Sequence, residues 1–335
     1  MKSLLSSILI IFLLANQVVS LGCLNEHGKN VDHFIALRIH GASPQKMMKF
    51  DPATKKFKGL SSENEGEQFL KQLFDQVDPK NHKIFAFNDA YPDKNVSLSQ
   101  SSSGNAHAKG VLVVDKDGKG FFLQHSVPKF PAFDPEHGFN YVTPTSSQFG
   151  QNFLCIRITS EKVADQLIEN FTYTKVSTYV NTYGKGKPAP KIILKESNYL
   201  KIRSFEIFSK MPKDNELLWD DIVAPYYKDD FLTETWGRPY SEDKCEDKNN
   251  RISSITNIKI DGVQYKHELD HSKWGITLNK SIWCGGDMNR ENTQSARGGS
   301  AICIENEDIH SAFKSLIVID GCGLITQKQL SIIVE

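Results

Sequence analysis

Two stretches of this chain place a histidine and a lysine one residue apart and a polar side chain eighteen positions after the histidine: His107-Ala108-Lys109 with His125, and His271-Ser272-Lys273 with Asn289. On an extended strand the two-residue period puts the His and Lys of each stretch on one face, and a hairpin turn returns the downstream side chain beside them. Two imidazoles facing each other across a phosphodiester can cleave it without a metal ion. One neutral His attacks phosphorus to give a phosphohistidine; the opposite, protonated His donates to the leaving oxygen and then takes a proton from water. The two lysines and the Asn would hold the non-bridging oxygens as negative charge grows on them. A lone H-x-K means little, because His27-Gly28-Lys29 is a third copy, followed at the same spacing by Gln45 in a stretch without pattern, and it reads as surface. One copy in each half, each opening a hairpin, predicts a pseudo-twofold site between two similar halves.

These residues need strands to carry them. Gly110-Val-Leu-Val-Val-Asp115, a turn around Asp117-Gly118 and Gly120-Phe-Phe-Leu-Gln-His125 predict a hairpin apolar enough to be buried on both faces. Trp274 to Leu278 predicts the matching strand of the second half, before a turn at Asn279-Lys280. Val31 to Ile39, Lys83 to Phe87, Asn152 to Ile158, Leu200 to Phe208 and Ile252 to Tyr265 predict further strands. Glu65 to Val77 predicts an amphipathic helix, Ser160 to Phe171 a helix capped by Ser160, and Ile309 to Leu316 a short helix leading into the strand Ile317 to Asp320. Tyr183 to Lys191, rich in Gly, Pro and Lys, is the clearest linker. The first half spans 21–182, the linker 183–191 and the second half 192–335, and strands with helices in both indicate an α/β fold of the α+β sandwich type.

Residues 1–20 read as a secretory signal: Lys2, the apolar run Leu4 to Ala15, then the small residues Val18-Val19-Ser20, too short a run to span a membrane. All six cysteines follow it, which suggests disulfides made in an oxidising compartment, with the pairing open at this point. Asn95, Asn170 and Asn279 open glycosylation sequons, and Ser97 to Gly104 is a Ser-rich loop. The 40 Lys+Arg balance 40 Asp+Glu, which at neutral pH argues against a polyanionic partner. Acid changes that arithmetic. Most of the ten histidines, with unperturbed pKa about 6.5, would be charged near pH 5, giving a net charge on the order of +9. Polyanion binding is then expected to be switched on by acid.

The paired H-x-K stretches, with Gly285-Gly286-Asp287-Met288-Asn289 downstream, resemble the phospholipase D superfamily. Its motif continues to an Asp, but Val114 and Leu278 stand at that spacing here, so whatever orients the histidines must come from elsewhere. The segments His107-Ala-Lys-Gly-Val-Leu-Val-Val-Asp115, Gln124-His-Ser-Val-Pro-Lys-Phe-Pro131, Gly150-Gln-Asn-Phe-Leu-Cys155, Asp270-His-Ser-Lys-Trp274 and Gly286-Asp-Met-Asn-Arg290 resemble the deoxyribonuclease II family more closely, over essentially the whole chain after the signal.

That resemblance implies a phospholipase D-like fold of two pseudo-symmetric halves, each a mixed sheet flanked by helices. It implies hydrolysis of DNA in acid, with no divalent cation or other cofactor, leaving 3′-phosphate and 5′-hydroxyl ends. The DNA would come from engulfed or dying cells or from food, in lysosomes or secretions. His107, His125 and His271 fall on essential histidines of the family, with Lys109, Lys273 and Asn289 beside them. By analogy with phospholipase D enzymes, His107 attacks and His271 donates the proton. The implied disulfides are Cys23–Cys155, Cys245–Cys322 and Cys284–Cys303, the last bracing the segment that carries Asn289. Lys129, Arg290 and Arg297 flank the motifs as candidate phosphate contacts, against the plainer reading of solvated charge, and Trp274 is a candidate to stack on a base, against the plainer reading of core. Two other functions fit the same residues. One is hydrolysis of a phospholipid, which would want an apolar rim where Asn105, Ser126, Lys129, Asp287, Arg290 and Gln294 are polar. The other is a secreted DNA-binding glycoprotein without turnover. No obligate protein partner is indicated.

Overall fold

The computed structural model describes residues 20–41, 46–60, 65–92, 105–140, 148–183, 199–202, 204–237, 241–247 and 250–325. The signal up to residue 19, Gln45, Asn95, the Ser-rich loop up to Gly104 and residues 184–191 of the linker lie outside the described residues.

Two sheets form the body. The first runs in the order Thr178–Asn181, Lys83–Asn88, Lys109–Val114, Lys119–His125, Gln151–Thr159, His33–Arg38, Met47–Asp51 and Lys56–Gly59. Each of its connections reverses the chain between neighbours, so it is wholly antiparallel where a mixed sheet was expected. The second runs Tyr199–Ile202, Phe205–Lys210, Gly299–Glu305, Ile282–Gly286, Lys273–Thr277, Phe231–Thr235, Ile252–Ile260 and Val263–Lys266, with Ile317–Asp320 also paired to Ile252–Ile260. Among the described residues its one parallel contact joins Phe231–Thr235 to Ile252–Ile260.

Two predicted strands are each a hairpin. Leu200 to Phe208 folds back on itself between Ile202 and Phe205. Ile252 to Tyr265 reverses at Asp261-Gly262, both in the left-handed region at φ 49° and 81°. An Asp-Gly pair between apolar runs favours that turn, because glycine carries no Cβ to clash there.

Alternation within each strand sends its two rows of side chains to different cores. From the central hairpin, Val111, Val113, Phe121 and Leu123 join Phe69, Leu70, Leu73 and Phe74 of helix Glu65–Asp75 on the outer face of the first sheet. Leu112, Val114 and Phe122 face inward and meet Ile276, Trp274, Trp283 and Ile302 of the second sheet in one shared core. Helices Glu161–Thr174 and Glu307–Lys314 feed Phe171 and Phe313 into that core. Ser160 caps the first, its Oγ accepting from the Val163 N–H. A third core covers the outer face of the second sheet with the π-helix Leu218–Val223. This is an α+β sandwich of two sheets.

The three disulfides are Cys23–Cys155, Cys245–Cys322 and Cys284–Cys303, the pairing implied by the resemblance. No helix among the described residues is long and apolar enough to cross a membrane.

Candidate active site

The two H-x-K strands occupy matching places. Lys109–Val114 lies between Lys83–Asn88 and Lys119–His125, and Lys273–Thr277 lies between Phe231–Thr235 and Ile282–Gly286. Each histidine sits just before its strand, and its backbone N–H crosses to the other half. His107 donates to the Gly298 carbonyl at 2.8 Å and His271 to the Gly150 carbonyl at 2.9 Å, and these glycines precede the matching strands Gly299–Glu305 and Gln151–Thr159. A Cβ on Gly298 would lie 2.0 Å from the Thr174 carbonyl oxygen, so only glycine permits this approach. Two side-chain bonds complete the clasp: the Lys273 N–H donates to Asn152 Oδ1 at 3.0 Å, and Gln124 Nε2 donates to Asp287 Oδ1 at 2.9 Å.

The group that stands in for the missing motif acid on the first side is Asp89, directly after strand Lys83–Asn88. Its carboxylate takes Lys109 Nζ at 2.6 Å, Arg297 at 3.3 Å and His107 Nε2 at 3.4 Å. Burial alone would raise its pKa, yet Lys109, His107 and Arg297 hold it well below the usual carboxylate range. Asp89 therefore stays charged at any working pH and sits against His107 Nε2. His107 Nδ1 is buried without a hydrogen-bond partner among the described residues. Sequence reasoning passed over Asp89 because it is remote from the motif in the chain; antiparallel pairing of Asn88 with Lys109 is what carries it there.

The cations repel protons from all three site histidines. Burial, then Lys109, hold His107 well below the ordinary imidazole value, with Asp89 pulling the other way. Burial, then Lys273 and Lys109, bring His271 down to about 3. His125, opposite Lys109 one step beyond the Gly110–Gln124 pair, is brought down to about 3 by burial and Lys109, while its Nδ1 accepts from the Val127 N–H at 3.2 Å. His271 is stacked on Phe149 at 4.2 Å and 12°.

Further groups titrate near neutrality, and two of them lie at about 7. Burial, then Lys109, pull Lys273 down to about 7, and burial pushes Asp287 up to about 7. Both gain a proton as pH falls through neutrality, so the site becomes more positive in acid. The acid switch expected from the ten histidines is smaller than the composition implied: His33, His107, His125, His271 and His310 are all held below the ordinary value, mainly by burial.

A family model described as deoxyribonuclease II covers residues 22–321. The chain belongs to the deoxyribonuclease II family. Similar proteins include cell-death-related nuclease 7 of Caenorhabditis elegans, 26% identical over 88% of this chain and 86% of that protein. Deoxyribonuclease-2-beta of Homo sapiens is 29% identical over 89% and 91%, and plancitoxin-1 of Acanthaster planci 28% over 88% and 90%. As a member of this family the chain is a deoxyribonuclease, a phosphodiester hydrolase.

In this deoxyribonuclease the remaining expected residues divide. Arg297 lies in the site, on Asp89 and on the Ala106 carbonyl at 3.1 Å. Lys129 is exposed, and its backbone N–H donates to the Ala90 carbonyl. Arg290 corrects the expectation of a phosphate contact: it is 1% exposed, and its guanidinium holds Asp220 at 2.8 Å and Asp243 at 2.6 Å. Trp274 corrects the stacking expectation, because it is fully buried and packs on Phe313. The equal spacing of eighteen is not an equal register: Lys109 faces His125, whereas the partner of Trp274 is Gly285, which places Gly286 opposite Lys273 and Asn289 beyond the strand end. Asn289 is buried, its Oδ1 without a partner among the described residues. Asn170 corrects the glycosylation expectation, being buried with its amide on Ser300 Oγ, while Asn279 is exposed on the hairpin turn.

Proposed function

We propose that this deoxyribonuclease is an acid endonuclease that cleaves DNA through a phosphohistidine, without a divalent cation, and leaves 3′-phosphate ends. The observation that carries the reading is the convergence of Lys109, Lys273 and Arg297 on His107 and His271, with a single carboxylate, Asp89, set against His107. Neutral His107 has a lone pair for phosphorus. As the N–P bond forms, the P–O bond to the 5′-oxygen of the next nucleotide breaks, and protonated His271 gives that oxygen its proton. Water then attacks the phosphohistidine with His271 as base, releasing the 3′-phosphate. The two lysines supply at the non-bridging oxygens the positive charge that a metal ion supplies in other phosphodiesterases.

The need for acid follows from the site rather than from the whole surface. His271 must take up a proton against burial and Lys273, and the arriving phosphate anion offsets that repulsion. Acid also charges Lys273 and discharges Asp287. His125, held neutral, serves as a hydrogen-bonding wall. Entry by a signal peptide, residence in a lysosome or secretion, and clearance of DNA from dying cells complete the proposal; the disulfides and the names of the cell-death-related nucleases support it.

Purified protein should nick DNA near pH 5 in excess EDTA, with 3′-phosphate ends, and lose this in both His107→Ala and His271→Ala. Acid quenching with labelled DNA should trap the label on the His107 peptide. A requirement for added metal would overturn the mechanism, and label on the His271 peptide would exchange the two roles.

A further inference from the structure

We infer that Trp236 is a base-stacking subsite, taking the nucleobase on the His271 side of the scissile phosphate; this rests on the proposed function. The strands beside the two H-x-K strands match, with Asn88 opposite Lys109 and Thr235 opposite Lys273, so the residues next along, Asp89 and Trp236, are counterparts. Asp89 meets His107, and Trp236 meets His271, with ring centroids 5.4 Å apart at 67°. The two flanks of one pseudo-symmetric centre therefore differ: a carboxylate among cations on one side, an indole on the other.

The indole is not core. Trp236 is 39% exposed, while Trp219, Trp274 and Trp283 are 1%, 0% and 0% exposed. It is also held in place, because its Nε1–H donates to the Glu268 carbonyl at 3.1 Å. Leu269, two residues before His271, is 38% exposed, so two large apolar side chains stand open beside the same histidine. Phe149 already stacks on His271 and would suffice to orient its ring. An exposed, fixed aromatic beside a cationic phosphate site is how proteins hold single-stranded nucleic acid, since every base has a π-face to offer. With His271 as proton donor, the base on this side belongs to the leaving nucleotide. The asymmetry thus gives the DNA strand a direction across a nearly symmetric centre.

The test uses single-stranded oligonucleotides with an abasic residue immediately 3′ or immediately 5′ of one cleavable phosphate. For the wild type, removing the base on the 3′ side should raise KM roughly tenfold, the range that loss of one base–aromatic stack gives, and removing the 5′ base should not. Trp236→Ala should have the raised KM on every substrate and no discrimination between them; Trp236→Phe should restore most of it. In a His107→Ala background, single-stranded DNA should quench tryptophan emission, and the quenching should vanish in the double variant with Trp236→Phe, since the other three indoles are buried. Discrimination unchanged in Trp236→Ala, or a loss confined to kcat, would overturn the subsite. If the wild type cleaved no DNA at all, the proposed function would fall, and the quenching would decide this inference separately: emission unmoved by DNA overturns it.

Discussion

Replacing Asp89 by Asn is the most informative change to the site, because it keeps the shape of the side chain and removes one charge among three cations. At an effective dielectric near 20, a unit charge 3.4 Å from His107 is worth about 5 kcal/mol to an imidazolium before desolvation is counted. Breaking a buried pair by removing one partner costs about 3–5 kcal/mol, and the Lys109 pair at 2.6 Å is such a pair. The expected loss is about 3 kcal/mol of stability, since the Asn oxygen still accepts from Lys109. The sign of the pH dependence is fixed. Lys109, His107 and Arg297 depress the folded pKa of Asp89 against the raising effect of burial, so its contribution is present above the unfolded value of about 4 and lost only as pH falls through the folded one. The destabilisation should therefore be nearly the same near pH 5 as near pH 7, by thermal melts at both. Catalytically, the positive charge that grows on His107 as it bonds to phosphorus loses its counter-charge, and kcat on DNA should fall by about 10²–10⁴ with KM little changed. A variant within about threefold of wild-type kcat, or one impaired only in KM, would refute the role given to Asp89, since loss of an orienting charge acts at the barrier.

Asp287→Asn should gain stability relative to wild type as pH rises. Burial raises the folded pKa of Asp287 to about 7, so the unfolded chain loses that proton first and the wild type alone weakens between about pH 4 and 7, by about 4 kcal/mol at most, readable as diverging melting temperatures. Lys210, fully buried, holds the carbonyls of Gln294, Ser295 and Arg297; Lys210→Met should cost about 3 kcal/mol and speed hydrogen exchange in residues 294–298, and an unchanged melting temperature would show the cradle to be idle. Peptide mapping after deglycosylation should find a glycan mark at Asn279, which is exposed, and none at Asn170, which is buried.

Much of the scaffold was legible because it rests on local patterns. The hairpin from Lys109 to His125 announces itself by two apolar runs around Asp117-Gly118, and the capped helix by Ser160. The pattern misled where two short strands share one apolar stretch, although Asp261-Gly262 carried the turn signal in plain sight. At the site, the histidines and lysines were visible as a repeat, whereas Asp89, Gln124, Gly298 and Trp236 reach it through strand pairing that no spacing reveals. Trp274 and Arg290 show the opposite error: nearness in the chain suggested the groove, but alternation along the strand and two carboxylates turned them inward. Burial, which a composition omits, also halves the set of histidines that could answer to acid.

The backbone bonds His107 to Gly298 and His271 to Gly150 also set an order of events during folding. Each H-x-K loop finds its acceptor only after the opposite sheet exists, since each glycine stands at the entrance to a strand of that sheet. A chain with one sheet complete would hold only one of the two opposed histidines, His107 or His271, and so would be harmless to nucleic acid. Enzymatic activity on refolding should accordingly rise after the far-ultraviolet dichroism signal has recovered, which makes nuclease activity a reporter of the last docking step. A newly made chain would acquire its hazard only when it is finished.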